Sequence, residues 1–229
     1  MLARNRDLWL ARAAVLAVVA LQFLMVNDLT PIPRWVMPTL ELALLVPLSL
    51  ATVWTIGATK KVADAEDPSD IWSTIARHRA LIRTAFLVLT AVVTVANLFS
   101  LEGLVGAMLN GKAANGKSLL VDSLNIWCTN LIIFSLWYWN MDRQTPIGDE
   151  PAKRDFIFTQ QQLGLEDETR PYLPGYIDYL FLSFTTAAAF SPADTMPLTA
   201  RAKLLMMIQA LVSLVTITFV TARAVGILA

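Results

Sequence analysis

Long apolar runs alternate with short polar segments along this chain, and five of the runs have the length of a membrane-spanning helix. They lie at about residues 8–28, 35–57, 82–105, 118–140 and 198–226. The hydrocarbon core of a bilayer is about 30 Å thick, so a helix of roughly 20 apolar residues crosses it. The pattern therefore predicts an all-α integral membrane protein with about five transmembrane helices.

A further apolar run precedes the last span, but it is too short to cross a bilayer. It begins near Tyr179, and Ser191-Pro192 ends it, because proline cannot continue a helix. Backbone that is not helical at membrane depth occurs where protein or a water-filled cavity surrounds it. A short helix, a break and a return therefore predict one re-entrant pore helix with its loop.

The predicted elements fall into two units. Residues 1–110 hold three accessory spans, of which the first two form a hairpin around Pro31 and Pro33. Residues 111–229 hold an outer helix, a polar loop, the pore helix with a filter-like loop, and an inner helix. The polar loop is rich in proline, glycine and charge, which excludes it from lipid.

The short run also carries a recognisable motif. Ser183-Phe184-Thr185-Thr186, followed by Asp194, Pro197 and Thr199, resembles the pore module of tetrameric potassium channels, with its S-F-T-T-x-T-T-V-G-Y-G-D-x-x-P-x-T pattern. The resemblance aligns without a gap and covers about 50 residues. The signature F-S-P-x-D-T-M-P-L is also similar to that of uncharacterised actinobacterial membrane proteins. The resemblance implies a homotetramer with a filter-like loop at Thr185, Thr186, Ala187, Ala188, Ala189, Phe190, Ser191, Pro192, Ala193 and Asp194.

The residues that make the family's filter selective are replaced. Where the family has T-V-G-Y-G, this chain has Ala189-Phe190-Ser191-Pro192-Ala193. A stack of carbonyl rings depends on the glycines to turn successive oxygens toward one axis. We therefore expect a pore that is not potassium-selective.

Several loop residues have two interpretations each. Asp194 could form a ring that attracts cations, or it could cap the last helix or bond to the pore helix. Thr185 and Thr186 could face a vestibule, or their hydroxyls could bond back to their own helix. Ala187 to Ala189 allow close helix packing. Phe190 could form a hydrophobic constriction or belong to the core.

One face of the last span is polar. Gln209, Ser213 and Thr216 recur at helical spacing and are followed on the same face by Val220 and Arg223. Polar side chains in a spanning helix face the bundle interior or a water-filled cavity. We predict that Gln209, Ser213, Thr216 and Val220 line the pore. The alternative is hydrogen bonding between helices by Gln209 and Ser213, which needs no pore.

Composition excludes several classes of protein. The chain is 56% hydrophobic and 16% charged, with 18 basic and 18 acidic residues, so it lacks the basic excess of a nucleic-acid-binding protein. One histidine and one cysteine give no basis for a metal site, and Cys128 cannot form a disulfide within the chain. No catalytic or cofactor-binding motif is present. We expect no enzyme activity, no cofactor and no metal.

The distribution of basic residues predicts an orientation. Fourteen of the 18 lysines and arginines fall in the N-terminus, the loop 59–83 and the region 142–203, which share one side if four spans precede the pore helix. Such a bias marks the cytoplasmic side. We expect a multi-pass protein of the plasma membrane with a cytoplasmic N-terminus. Potassium channels place the filter outside, so this pore loop is inverted, similar to that of ionotropic glutamate receptors.

Two functions follow from these observations. The first is a homotetrameric, channel-like membrane protein with a non-selective or weakly cation-selective pore, whose partners are its own copies, the lipid bilayer and monovalent cations. The alternative is a non-conducting membrane scaffold or regulatory protein that retains a potassium-channel-like fold.

Overall fold

A computed structural model describes residues 2–23, 35–36, 38–39, 42–43, 45–46, 49–50, 69–109, 116–142, 154–163, 172–191 and 194–228. The helices are α1 (Leu2–Phe23), α2 (Ser69–Leu109), α3 (Gly116–Asp142), α4 (Thr159–Gln162), α5 (Tyr176–Ala189) and α6 (Ala200–Leu228). Two short strands, β1 (Phe156–Phe158) and β2 (Thr195–Pro197), lie between them. The described residues from 36 to 50 are also helical.

Within the described residues, three helices are long and apolar enough to cross a membrane. They are Leu81–Leu109 in α2, Ser118–Asp142 in α3 and Ala200–Ala222 in α6, which match the third, fourth and fifth predicted spans. α1 covers most of the first predicted span but is not among these three candidates. The second predicted span lies mostly outside the described residues. The structure thus supports a helical membrane protein with three such helices.

α3 is the centre of the bundle and packs against α1, α2, α5 and α6. Hydrogen bonds indicate that α1, α2 and α6 run antiparallel to it. Trp137 near its end donates to Thr94 in α2 at 3.0 Å, and Asn125 near its start donates to the carbonyl of Leu21 at the end of α1 at 2.5 Å.

The antiparallel packing brings several polar residues to one end of the bundle. We call this the mouth end; it holds Asp7, Asp142, Asp155 and Arg201, whose contacts are described below. The starts of α1 and α6 meet the end of α3 there. The N-terminal helix and the described segments 154–158 and 194–199 thus lie at the same end, whereas residues 59–68 of the predicted loop lie outside the described residues.

An aromatic core fills the mouth end beneath these charges. The rings of Phe158 and Tyr179 lie 5.2 Å apart edge to face, and those of Tyr138 and Phe156 lie 5.3 Å apart. Such pairs contribute about 1 kcal/mol beyond their burial. A second, smaller cluster joins Leu104, Leu119 and Val212 at the opposite end.

The two strands are an addition to the all-α prediction. β1 and β2 pair antiparallel, with Phe156 opposite Pro197 and Phe158 opposite Thr195. Phe156 and Phe158 point into the aromatic core, so the pairing follows from burying two rings on one face. Three residues within a polar, proline-rich stretch are too few for a recognisable alternation.

Candidate functional site around the short helix

The start of α5 is held against α1 by hydrogen bonds. The carboxylate of Asp178 accepts the N–H of Gly175 at 2.7 Å, and the carboxylate of Asp7 accepts the N–H of Tyr176 at 3.3 Å. A Cβ on Gly175 would lie 3.0 Å from the Asp7 oxygen, so glycine allows this approach. Burial, together with a hydrogen bond to Asp178, raises the pKa of Tyr172 to about 12.

The buried face of α5 is fixed on α3. The hydroxyls of Tyr176 and Ser135 share a hydrogen bond of 2.7 Å, and Tyr179 donates to the Asp142 carboxylate at 2.6 Å. Hydrogen bonds between helices hold a register that apolar packing alone leaves free. α5 therefore occupies a defined position between α3 and α6.

Gln209 joins all three helices at one buried point. Its Nε2 donates to the carbonyl of Ser183 at 3.0 Å and to the hydroxyl of Ser183 at 2.7 Å. Its Oε1 accepts the hydroxyl of Tyr138. The Ser183 hydroxyl in turn donates to the carbonyl of Leu131 at 2.6 Å. Each polar atom in this group has a partner, as burial requires.

The predicted pore-lining face of α6 is enclosed within the single chain. Gln209, Ser213 and Thr216 are 0% exposed. Ser213 accepts a hydrogen bond from Asn130 at 3.1 Å, Thr216 donates to the carbonyl of Val212, and Val220 is partly buried.

A side chain that lines an axis between copies is open to solvent in one isolated chain. The enclosed position of this face therefore favours the alternative of hydrogen bonding between helices. Pore lining by these residues stays a prediction. The opposite face of α6 is exposed and mostly apolar, with Leu204, Met207, Leu211, Leu214 and Thr218.

The two threonines of the filter-like loop lie within α5. Thr185 donates to the carbonyls of Phe181 and Leu182 at 3.1 and 3.0 Å, and Thr186 donates to that of Leu182 at 2.8 Å. Both hydroxyls thus bond back to their own helix, as the alternative interpretation predicted. Thr186 and Ala187 are buried, whereas Ala188 and Ala189 are exposed. Pro192 and Ala193 lie outside the described residues.

Phe190 ends α5 in a strained conformation. It has φ 54° and ψ 28°, in the left-handed region, and among the described residues it is the one non-glycine residue with positive φ. Its side chain is 47% exposed, so it is not the core residue that one interpretation proposed. Left-handed backbone costs a residue with a Cβ about 1 kcal/mol or more.

Replacing Phe190 with glycine is expected to stabilise the protein by about 1 kcal/mol, because glycine adopts this conformation without strain. Thermal unfolding of the purified protein in detergent measures the gain. Phe190→Ala is the matched control, since it removes the ring but keeps the Cβ and the strain. An equal gain from alanine would show that the ring, and not the backbone, is the source of the effect.

Asp194 does not cap the last helix, and that interpretation is wrong. The cap is Thr199, whose hydroxyl accepts the N–H of Ala202 at 3.3 Å and whose carbonyl accepts that of Lys203 at 3.1 Å. Thr195 to Pro197 pair with β1, which delays the helix to Ala200. Asp194 is exposed, and none of the described residues hydrogen-bonds its carboxylate; its backbone carbonyl accepts the Thr159 hydroxyl at 2.6 Å.

The charged pair that positions α6 was not predicted from the sequence. Asp155 is 0% exposed and accepts two hydrogen bonds from Arg201, both at 2.7 Å, and one from the Thr199 hydroxyl. Asp142 at the end of α3 accepts the N–H of Asp155 at 2.6 Å. Asp155 therefore ties the end of α3 to the start of α6. The available signal in the sequence was the pair Thr199 and Arg201 at the start of α6. Their partner Asp155 could not be identified, because it lies 46 residues away from Arg201.

The described residues hold no group of three or more histidine, cysteine, aspartate or glutamate side chains that could bind a metal ion. The chemistry of the site consists of hydrogen bonds that hold α5, a left-handed turn at Phe190 and an exposed carboxylate at Asp194. No family model, curated protein or solved structure matches this chain.

Proposed function

We propose that this protein is a homotetrameric, channel-like membrane protein with a non-selective or weakly cation-selective pore. The observation that carries the proposal is the position of α5, a 14-residue helix held between two long antiparallel helices and followed by a loop with an exposed carboxylate at Asp194. At 1.5 Å per residue α5 is about 21 Å long, which is shorter than a bilayer core. It therefore suits a re-entrant pore helix.

Apolar surface on α5 and α6 supports assembly. Ile177, Phe181 and Phe184 on α5 are about half exposed, and the outer face of α6 is more exposed still at Met207 and Leu211. One pore loop cannot enclose a channel, so conduction requires several copies around an axis. We propose that four copies meet through these faces, as the sequence resemblance implies.

The backbone of the filter-like loop argues against potassium selectivity. Ala189 is still helical and Phe190 is left-handed, whereas a carbonyl cage needs successive oxygens directed at one axis. Asp194 is the charged group best suited to attract cations, because its carboxylate is exposed and has no structural partner among the described residues.

The orientation is also part of the proposal. The starts of α1 and α6 lie at one end of the bundle, and the lysine and arginine bias of the sequence favours the cytoplasm for that end. We propose a plasma membrane protein with its N-terminus and its pore mouth in the cytoplasm.

Ion flux into liposomes tests the function. We expect the purified protein to pass sodium and potassium equally, with cations preferred over anions. Asp194→Asn should reduce that preference, because it removes one charge per copy from the mouth. It should change the free energy of unfolding by less than about 0.5 kcal/mol, as for an unbonded surface residue.

Asp194→Glu is the matched control, since it keeps the charge and should keep the preference. Equal selectivity in Asp194→Asn and the unmodified protein would remove Asp194 from the mechanism. A strong preference for potassium would contradict the interpretation of the loop.

The alternative is a non-conducting scaffold or regulatory protein, and one observation favours it. The polar residues Gln209 and Ser213 of α6 form their hydrogen bonds inside the chain. The face of α6 that is exposed to a neighbouring molecule is therefore the apolar one. Liposomes that contain folded oligomers but show no flux above protein-free liposomes would support this second function.

A further inference from the structure

We infer that Asn97, Asn130 and Ser213 form a binding site for a water molecule at the middle of the membrane, inside a single chain. This site lies outside the filter-like loop and does not depend on ion conduction.

The three side chains come from the three helices that are long and apolar enough to cross a membrane. Asn97 lies near the middle of the apolar segment of α2, Asn130 near the middle of that of α3, and Ser213 near the middle of that of α6. All three residues are at most 4% exposed. Polar groups at this depth are cut off from bulk water, so each one needs a partner inside the protein.

Hydrogen bonds bring these residues to one level of α3. Asn130 donates to the Ser213 hydroxyl at 3.1 Å, and Asn97 donates to the carbonyl of Ile126 at 3.4 Å. In an α-helix the N–H of Asn130 donates to that same carbonyl, so the amide nitrogen of Asn97 lies within about 6.5 Å of the Asn130 backbone nitrogen. Apolar neighbours of these residues form one cluster across the same three helices, which includes Leu101, Ile126 and Val212.

Two hydrogen-bonding groups at this level have no partner in the described part of the chain. A carbonyl only accepts, so the amide nitrogen of Asn97 faces Ile126 and its Oδ1 faces away. That Oδ1 is buried and accepts no hydrogen bond. The Ser213 hydroxyl accepts from Asn130, and no described residue accepts its proton. A buried donor and a buried acceptor are each costly when they are unpaired.

One water molecule satisfies both groups, because it donates to the Oδ1 of Asn97 and accepts from the Ser213 hydroxyl. Buried waters bind at such points, where polar groups lack other partners. The 3.4 Å contact between Asn97 and Ile126 is longer than the usual distance of about 3.0 Å, which is consistent with space between α2 and α3 at this level. The three side chains are neutral, which disfavours a buried cation as the ligand.

Hydroxyl-radical labelling of the full chain in lipid nanodiscs tests the site. X-ray irradiation turns water into radicals that oxidise nearby side chains, so buried residues beside a bound water are modified. We expect excess oxidation at Leu101, Ile126 and Val212. The reference is Leu136, which is also buried but belongs to the other core cluster. Asn97→Leu should reduce the oxidation to the level of this reference. No excess in the unmodified protein, or an excess that Asn97→Leu leaves unchanged, would overturn the proposal.

Ser100→Ala is the matched control and should keep the oxidation pattern. Ser100 is buried about one turn after Asn97, but it donates to the carbonyl of Ala96 in its own helix.

Thermal unfolding gives a second test, because Asn97 and Ser213 share no direct hydrogen bond. If a water joins them, Asn97→Leu and Ser213→Ala together should lower the Tm by less than the sum of the two single losses. Additive losses would contradict the bridge. The Tm should also be equal in sodium chloride and choline chloride. A rise with sodium that Asn97→Leu abolishes would assign the Oδ1 to a cation and overturn the water site.

Discussion

Replacing Asp155 with alanine is expected to destabilise the protein by about 3 kcal/mol, the largest effect of any single substitution proposed here. The carboxylate is fully buried and accepts two hydrogen bonds from Arg201 and one from Thr199. Removing one partner of a buried ion pair typically costs 3 to 5 kcal/mol. Because the Arg201 side chain is 48% exposed, water partly replaces the lost contact, and we expect the lower end of that range.

Unfolding in detergent with increasing denaturant measures this loss. Asp194→Ala is the matched control, since it removes an exposed carboxylate from the same end of the molecule and should cost less than about 0.5 kcal/mol. Asp155→Asn keeps one oxygen for Thr199 or Arg201, so its loss of stability should lie between those of Asp155→Ala and Asp194→Ala. If Asp155→Ala and Asp194→Ala had equal stability, the ion pair would not hold α6 to α3.

Replacing Gln209 with leucine is expected to destabilise the protein by about 2 kcal/mol. The substitution keeps a side chain of similar size but removes hydrogen bonds to Ser183 and Tyr138. Hydrogen bonds between membrane helices contribute up to about 1.7 kcal/mol each, and the buried Tyr138 hydroxyl loses the Gln209 oxygen as its acceptor. Ser183 loses less, because it still donates to Leu131.

The same denaturant series distinguishes a helix contact from a pore residue. Thr216→Val is the matched control, since Thr216 is equally buried on the same face but bonds to its own helix; it should cost less than about 0.5 kcal/mol. Gln209→Leu should also lose little further stability when Tyr138→Phe is added, because the two residues share one hydrogen bond. If the Gln209→Leu protein kept full stability but showed altered ion flux, the result would support a pore-lining role for Gln209.

The long helices and the short one could be predicted from the sequence, because each depends on local composition. The apolar run before Ser191 predicted a helix that stops short of a span, and α5 is such a helix, although it continues to Ala189 and so includes Thr185 to Ala189 of the predicted filter-like loop. The ribbon of β1 and β2 could not be predicted. Its pairing depends on Phe156 and Phe158 entering a core formed by distant helices, and such long-range packing leaves little local pattern.

The residues of the polar face of α6 could be predicted, but the surroundings that this face contacts could not. Helical spacing places Gln209, Ser213 and Thr216 on one face, yet the same spacing suits a pore or the interior of one chain. The choice depends on Tyr138 and Ser183, which come from two other helices. The N-cap of α6 could not be predicted for the same reason. Asp194 and Thr199 both precede the helix, and the pairing of β2 between them makes Thr199 the cap.

α1 is hydrogen-bonded to α5 near its start and to α3 near its end. Near its start, the Asp7 carboxylate binds the first N–H of α5, and near its end, the carbonyl of Leu21 accepts from Asn125 in α3. A tilt of α1 would therefore strain its hydrogen bonds with both α5 and α3. A displacement of the start of α1 is therefore expected to move Tyr176 and, with it, the start of α5.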